Sequence, residues 1–438
     1  MNRLPPTAVV AVLAAFAGAG CSAPLPTLTP DDDIATLVTA AWTGDPMERT
    51  RVEVDGPDGP FLVSDWQAPK ADAVVPLLGL LPATDWSARV VTESGGASPD
   101  VPFVTLEIPG SLPAYSVTGA AGWEGYLLTS LMATRDYVIV LDPSGKIVWY
   151  RGVTDRRHVF RSRLLLDGSG VRYAEVSDDV TAGAGSAHLR TVAWDGHETA
   201  DVEVDAFSHD FVDAPDGRLA CIALIPDPAT GDASLPGDSV VLVDGEGNRE
   251  QVWSAWETLT PPEAPWEFDE WSHANALDYD EERGSYWLGM RNLDQIDEIL
   301  PDGRFGERIG GEGSDWTFPE GEAPKWQHQF EKLDDGILVF DDRAGGHSRA
   351  VEYRFDQNTG AAAPVWEYRH DPDLWVFALG DVDRGADGST LVTFSTAGVI
   401  DDVAADGELR WELAGDLGVA VGYGVRLEGL PGVERVGD

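Results

Sequence analysis

The 438-residue chain holds only two cysteines, Cys21 and Cys221. If Cys21 is acylated, Cys221 has no partner, so stability must come from packing rather than from disulfides. Its setting, Leu219-Ala-Cys-Ile-Ala-Leu224, reads as a buried strand in which the thiol is a small core group. Basic residues are scarce as well: 30 Lys and Arg stand against 76 Asp and Glu, a formal charge of −46. Such a surface repels phosphate backbones and acidic lipid, which argues against nucleic acid as a partner. The charge reads as a solvating surface suited to salt. Beyond residue 20 no apolar run approaches the ~20 residues of a membrane span, and no long helical periodicity occurs. What abounds is glycine (48), proline (29) and short apolar runs, the pattern of β structure spread over two or three domains.

Residues 1–20 read as an export signal, with Asn2 and Arg3 before an apolar run from Ala8 to Ala19. Gly18-Ala-Gly-Cys21 resembles a lipoprotein cleavage box, although Gly18 stands where an aliphatic residue is usual; a cut after Ala19 by ordinary signal peptidase is the alternative. The expectation is an exported, periplasmic or cell-envelope protein, soluble itself and held to a membrane only by lipid on Cys21. Residues 21–33 read as a tether. Residues 34–114 read as a small β-sandwich, from strand-length runs at 50–54, 61–63, 74–78 and 86–91 between Gly, Pro and Asp turns. Within it, Leu80 to Val90 resembles the Leu-x-Pro-x-Thr-x-Tyr stretch of fibronectin type III sandwiches. Nothing there suggests catalysis; an interaction or spacer role follows, with a homodimer through this domain left open.

From about residue 115 the sequence repeats an aliphatic strand, an Asp-x-x-Gly or Asp-Gly turn, and a second strand often ending in Trp. The turn aspartates Asp142, Asp195, Asp244, Asp302, Asp356 and Asp406 are 49 to 58 residues apart. A second set of turns falls between them, near Asp167, Asp216, Arg283, Asp335 and Asp387. Two hairpins per repeat predict four-stranded blades, and six repeats predict a six-bladed β-propeller over 115–438. Val419 to Arg426 is expected to complete the blade begun by Gly125 to Ser130 and so close the ring. Trp149, Trp253, Trp366 and Trp411 recur near strand ends and are expected to pack between blades.

The repeat makes the histidines informative. His209, His273 and His328 precede successive inner-hairpin turns by seven to ten residues. Each opens the first strand of its hairpin, so three imidazoles from adjacent blades are expected at one mouth of the channel. In Trp271 to Arg291, His273 and Asn275 would share a strand face, and a turn at 281–284 would set Arg291 opposite His273 or its neighbour. Three histidines first suggest a metal, but a guanidinium alongside repels a cation. Arg291 and Asn275 among imidazoles instead favour an oxyanion, since a planar guanidinium matches sulfate or phosphate oxygens. One imidazole could attack the central atom while the others stabilise charge or move a proton. Trp266, Trp271, Trp316, Trp326 and Trp375 are candidates to line a pocket for a flat apolar substrate. Arg343 falls opposite His328 by hairpin arithmetic and could add positive charge.

Trp271-Ser-His-Ala-Asn-Ala-Leu277, Arg291, Trp326-Gln-His328, Gly336-Ile-Leu-Val-Phe-Asp341 and Ser348-Arg-Ala-Val-Glu-Tyr353 together resemble the bacterial arylsulfate sulfotransferases. Gly125-Tyr-Leu-Leu128, Val140 to Trp149 and Ser208-His-Asp210 fit the same family, and the likeness covers most of residues 115–415. The resemblance implies a six-bladed propeller behind a small N-terminal β domain. It also implies that His328 is the nucleophile that becomes a transient sulfohistidine, with His209, His273, Asn275 and Arg291 holding the sulfuryl oxygens and assisting the departing phenol. The implied reaction is ping-pong, from an aryl sulfate donor to a phenol acceptor, with no cofactor and no nucleotide sulfate donor. One departure stands out: Asp341-Asp342-Arg343 replaces the family's usual Asp-Asn-Gly. Two other readings stay open, a propeller of the same descent that binds ligands or partners without turnover, and a metal-dependent hydrolase using the histidines.

Overall fold

The computed structural model describes residues 23–45, 47–154, 157–177, 185–231, 236–262, 270–343 and 346–436. The expected export signal with Cys21, and Trp266, lie outside the described residues. The described residues are all-β with almost no helix. Two sheets form the N-terminal unit, one ordered Thr27–Pro30, Val38–Thr43, Asp72–Leu77 and the other ordered Val433–Arg435, Gly59–Ser64, Thr50–Gly56, Asp85–Thr92, Val101–Val104. In Thr50–Gly56 the buried Val52 and Val54 alternate with the half-exposed Arg51 and Glu53, the mark of a sheet with one wet face. The inward residues of both sheets, including Trp42, Val52, Leu62, Val75 and Trp86, form one apolar cluster. Outside, Glu53 receives Arg51 and Arg89.

Two segments depart from the expected boundaries. Thr27–Pro30, read as tether, pairs with Val38–Thr43. Val433–Arg435, from the far end of the chain, pairs with Gly59–Ser64. Both are short strands whose polar composition carries no apolar alternation, so only their partners identify them.

Six antiparallel sheets follow in chain order. Sheet I contains Tyr126–Met132, Tyr137–Leu141 and Ile147–Gly152; sheet II contains Gly170–Ser177, Ser186–Ala193 and Glu198–Asp205 behind two short strands. Sheet III is Phe207–Asp213, Leu219–Ile225, Gly237–Val243 and Arg249–Ser254, and sheet IV is Ala274–Asp280, Ser285–Met290, Gln295–Ile299 and Phe305–Ile309. Sheet V is Phe330–Leu333, Gly336–Asp341, Arg349–Asp356 and Ala361–Tyr368, and sheet VI is Asp381–Arg384, Thr390–Phe394, Val399–Val403 and Leu409–Gly415.

The turn aspartates explain the repeat. Asp244 Oδ1 accepts the backbone N–H groups of Glu246 and Asn248, and Asp142 Oδ1 accepts Ser144 Oγ–H and Lys146 N–H. Gly247 and Gly145 sit at φ of +84° and +79°, a conformation that costs glycine nothing. Central strands such as Leu219–Ile225 are buried almost throughout, because neighbouring sheets cover both faces. Each sheet shares an apolar cluster with the next: Leu189 of II and Cys221 of III belong to one, Ile222 of III and Leu288 of IV to another, Ile296 of IV and Val339 of V to a third, and Leu338 of V and Val392 of VI to a fourth. Leu413 of VI, Val140 of I and Val192 of II belong to one further cluster, so the succession returns to its start. Each fully buried aliphatic side chain contributes about 1.5–3 kcal/mol to this packing.

The chain ends interlock the same way. Ala420–Val421 and Val425–Leu427 pair with Tyr126–Met132 of sheet I, while Tyr115–Gly119 pairs with Leu409–Gly415 of sheet VI. Recurrent tryptophans sit between sheets, Trp149 edge-on to Trp194 at 5.5 Å and Trp253 against Phe305 at 6.0 Å.

Candidate active site

Sheets III, IV and V each deliver a histidine at the start of the first strand. His209 lies in Phe207–Asp213, His273 directly precedes Ala274–Asp280, and His328 comes two residues before Phe330–Leu333. The backbone is bent to aim them. His209, His273 and Trp326 have φ of +56°, +50° and +54°, left-handed values that cost a non-glycine residue about 1–2 kcal/mol each. The ladder also shifts register between Phe207 and Phe211 and between Ala274 and Ala276. Bulges of this kind turn a side chain off the sheet face. His273 and Asn275 therefore do not share a face by simple alternation, as the sequence suggested; the irregular backbone orients each.

The hairpin of sheet IV turns after Asp280, pairs Met290 with Ala274, and lets Arg291 N–H donate to the His273 carbonyl at 3.0 Å. The His209 and His273 rings meet edge to face, centroids 4.7 Å apart. His209 Nδ1 shares a hydrogen bond with Ser208 Oγ at 2.7 Å, and His273 Nδ1 lies 2.8 Å from Glu270 Oε2. Arg291, 1% exposed, places its guanidinium carbon 4.5 Å from the Trp326 ring centroid. Asn275 is fully buried and its Nδ2 donates to the Gln327 carbonyl at 2.9 Å, next to His328.

Below this layer, Asp210 ties the sheets together. Its carboxylate accepts Arg161 Nε–H (2.8 Å), Leu277 N–H (3.1 Å) and Gln329 Nε2–H (3.0 Å), so sheets II, IV and V are bonded through a residue of sheet III. On this side a cavity of ≈ 220 Å³ is lined by Arg161, Arg163, Asp278, Glu331, Asp381 and Asp383 among others.

The electrostatics favour the neutral form of His209 and His328. Burial, with His273 and Arg291 adding to it, pulls His209 down to about 3, and Glu270 offsets only part of that. Burial, then Arg291, His273 and His209, holds His328 well below the usual histidine range. Asp342 is pushed well up by burial, against the pull of Arg291. Asp238 is pushed up to about 7 by burial and by Glu270, although it accepts Ser272 Oγ–H and Ala274 N–H. A neutral imidazole beside a buried guanidinium is suited to attack an electrophilic centre carrying anionic oxygens.

Not every expected residue joins this layer. Trp326 does, under Arg291. Trp271 is fully buried in the apolar core against Trp256, centroids 5.3 Å apart, and presents nothing to a ligand. Trp316 stacks on Phe355 at 4.3 Å and bonds Glu307 through Nε1, so it packs within the core shared by sheets IV and V. Arg343 does not face His328: its N–H bonds the Lys325 carbonyl, and its guanidinium is committed to Asp341 and to the Gly321 carbonyl. The reason is an irregularity in which His328 N–H donates to the Phe340 carbonyl while Phe340 N–H donates to Gln329, which displaces the expected pairing. His158, His188 and His370 pair with Asp136, Asp201 and Asp401 elsewhere.

Three contributors escaped the sequence reading: Glu270 behind His273, and Asp342 and the Leu379 N–H on the two nitrogens of His328. Nδ1 of His328 lies 2.7 Å from Asp342 Oδ2, and Nε2 accepts Leu379 N–H at 2.9 Å. Among the described residues, the one trio of histidine and carboxylate atoms spaced for a metal is His370, Asp401 and Glu412, which includes none of the three clustered histidines.

Residues 124–317 match the family model Arylsulfotransferase (ASST). Over that span the chain is similar to the arylsulfotransferases. His209, His273, Asn275 and Arg291 fall inside the matched residues; His328 falls beyond them. Comparison with curated protein sequences returns no match. Among solved structures, a protein of unknown function from Bacteroides caccae is 12% identical with a TM-score of 0.46, over 69% of this chain and 100% of that one. Virginiamycin B lyase from Staphylococcus aureus, solved as an inactive variant with quinupristin, is 10% identical with a TM-score of 0.38, over 72% and 100%. The periplasmic gluconolactonase of Pseudomonas aeruginosa is 15% identical with a TM-score of 0.38, over 89% and 99%.

Proposed function

We propose that this protein transfers a sulfuryl group from an aryl sulfate ester to a phenol through a sulfohistidine at His328, by a ping-pong route that needs no nucleotide sulfate donor. The observation that carries the reading is the gathering of three adjacent-sheet imidazoles around Arg291, His273 and His328 buried and His209 half-buried. The lone pair of His328 forms the N–S bond as the S–O bond to the aryl group breaks, and the electron pair leaves with the phenolate oxygen. Arg291 offsets the charge on the sulfuryl oxygens. His273, backed by Glu270, is the group in place to protonate the departing phenolate and later to take the proton of the acceptor phenol. The acceptor oxygen then attacks sulfur, and the N–S pair returns to His328.

In the same reading the six sheets are six propeller blades closed by the C-terminal strands, the two N-terminal sheets are a sandwich, and Cys21 carries the lipid that holds the protein in the cell envelope. The decisive assay supplies a chromogenic aryl sulfate with and without phenol. Phenol-dependent release that disappears in His328→Ala supports the transferase. No release, or release that survives His328→Ala, overturns it, and loss of release with a chelator points to metal chemistry instead.

A further inference from the structure

We propose that Asp342 is a positioning residue that keeps the His328 proton on Nδ1 and thereby makes Nε2 the nitrogen that attacks sulfur. The inference rests on the reading of His328 as nucleophile.

The two ring nitrogens can be told apart by their partners. Nε2 receives the Leu379 N–H at 2.9 Å, so it carries a lone pair and no proton. A neutral imidazole then has its single proton on Nδ1. That nitrogen stands 2.7 Å from Asp342 Oδ2, an ion-pair contact whose two atoms are not aligned as a straight hydrogen bond. His328 Nδ1 and both Asp342 oxygens are buried and make no aligned hydrogen bond among the described residues. The two side chains are 2% and 1% exposed.

The backbone places the carboxylate. Asp342 directly follows Gly336–Asp341, and Phe340 of that strand is bonded to both His328 and Gln329. Consecutive residues point to opposite sides of an extended chain. Accordingly Asp341 turns to Lys325 N–H, Arg343 and Arg349, and Asp342 turns to His328. When Nε2 takes the sulfuryl group, the ring would carry a formal positive charge with its proton still on Nδ1. A carboxylate at Oδ2 can share that proton, and it is released to Nδ1 again when the N–S bond breaks. The Leu379 N–H has to leave Nε2 before the attack, because one lone pair cannot serve both.

The test separates this inference from the transferase reading by using two readouts. Histidine-selective 15N labelling, with His328 assigned against His328→Ala, reports the ring tautomer without any turnover. Mass analysis of protein treated with a chromogenic aryl sulfate, against authentic sulfohistidine isomers, reports which nitrogen is modified. The expected result is an Nδ1–H ring and sulfation on Nε2. In Asp342→Ala the tautomers mix and kcat falls on the order of ten- to a hundredfold with donor KM nearly unchanged. Asp342→Asn, whose amide oxygen still accepts the Nδ1–H, keeps the tautomer and recovers most of kcat. An unchanged tautomer and rate in Asp342→Ala, or sulfation on Nδ1, overturns the inference. If wild type shows no transfer at all, the transferase reading fails, and the tautomer of wild type against the two variants still decides what Asp342 does.

Discussion

Arg291 lies over the face of Trp326, its guanidinium carbon 4.5 Å from the ring centroid, while its backbone N–H bonds the His273 carbonyl. The indole thus fixes the plane of a cation that is almost fully buried, at a position where Trp326 itself adopts a left-handed backbone. A planar fork held this way can bind two sulfuryl oxygens at once, which a lysine ammonium cannot.

Arg291→Lys should therefore keep the charge but lose the geometry. Loss of one oxyanion donor costs about 10²–10³ in kcat, and a drop of that order in phenol-dependent transfer is expected. Steady-state kinetics with a chromogenic donor check it; a variant within threefold of wild type in kcat contradicts the oxyanion role of Arg291.

Asp210 predicts a stability effect separate from chemistry. It is fully buried and is the acceptor for Arg161, Leu277 and Gln329. Asp210→Ala leaves the Arg161 guanidinium without its carboxylate, and breaking one side of a buried ion pair costs about 3–5 kcal/mol. Urea unfolding should show that loss, with Asp210→Asn intermediate because its oxygen still accepts two of the bonds.

Asn275 offers a smaller test of the same kind. Its Nδ2 donates across sheets to the Gln327 carbonyl at 2.9 Å. Asn275→Ala leaves that buried carbonyl unpaired, at about 1–3 kcal/mol. Since Gln327 precedes His328, kcat should fall in this variant even below its unfolding temperature. A variant that is destabilised yet fully active would make Asn275 a packing residue only.

How much of this was legible depends on the range of the interaction that decides it. The turn aspartates announce the sheets because an Asp carboxylate and a left-handed glycine close each turn locally, as at Asp244 and Gly247. His209, His273 and His328 were legible for the same reason, being in register with those turns. Tyr115–Gly119 and Val433–Arg435 were not, because each finds its partner about as far away along the chain as it can, on Leu409–Gly415 and Gly59–Ser64. Trp271 was misread because indole composition does not say which face of a loop meets the core. Asp342 was within reach: in an Asp-Asp pair at a strand end, alternation sends one carboxylate to each side. The bulge at Phe340 concealed which of them, or Arg343, would meet His328.

Acidification should stabilise the fold before it harms it. Burial first raises Asp238, Glu331 and Asp381 to about 7 and Asp297 to about 6. A group whose folded pKa exceeds its unfolded one contributes stability below the unfolded pKa and loses it as pH rises through the folded one. His209, lowered to about 3, and His328, also lowered, act in the opposite sense, and their contribution is lost as pH falls below the ordinary histidine range. The carboxylates outnumber them near neutrality, and a net charge of −46 repels itself less as acids protonate. The thermal midpoint is expected to rise from about pH 8 to about pH 6 and to flatten or turn below that. A midpoint that falls steadily over the first interval would mean that the buried carboxylates are ionised and paired.

Salt separates the field of the whole molecule from the field of the site. An anionic aryl sulfate approaching a surface of formal charge −46 is slowed by long-range repulsion, whereas Arg291 attracts it only at close range. Raising ionic strength from about 0.01 M to about 0.1 M shortens the Debye length from about 30 Å to about 10 Å, which screens the distant carboxylates and leaves a buried guanidinium little affected. kcat/KM for the donor should rise severalfold over that range while kcat stays level, because encounter changes and the bound geometry does not. A fall in kcat/KM with salt would show that the mouth is positive enough to steer the donor in. The acidic surface would then have to be arranged away from it.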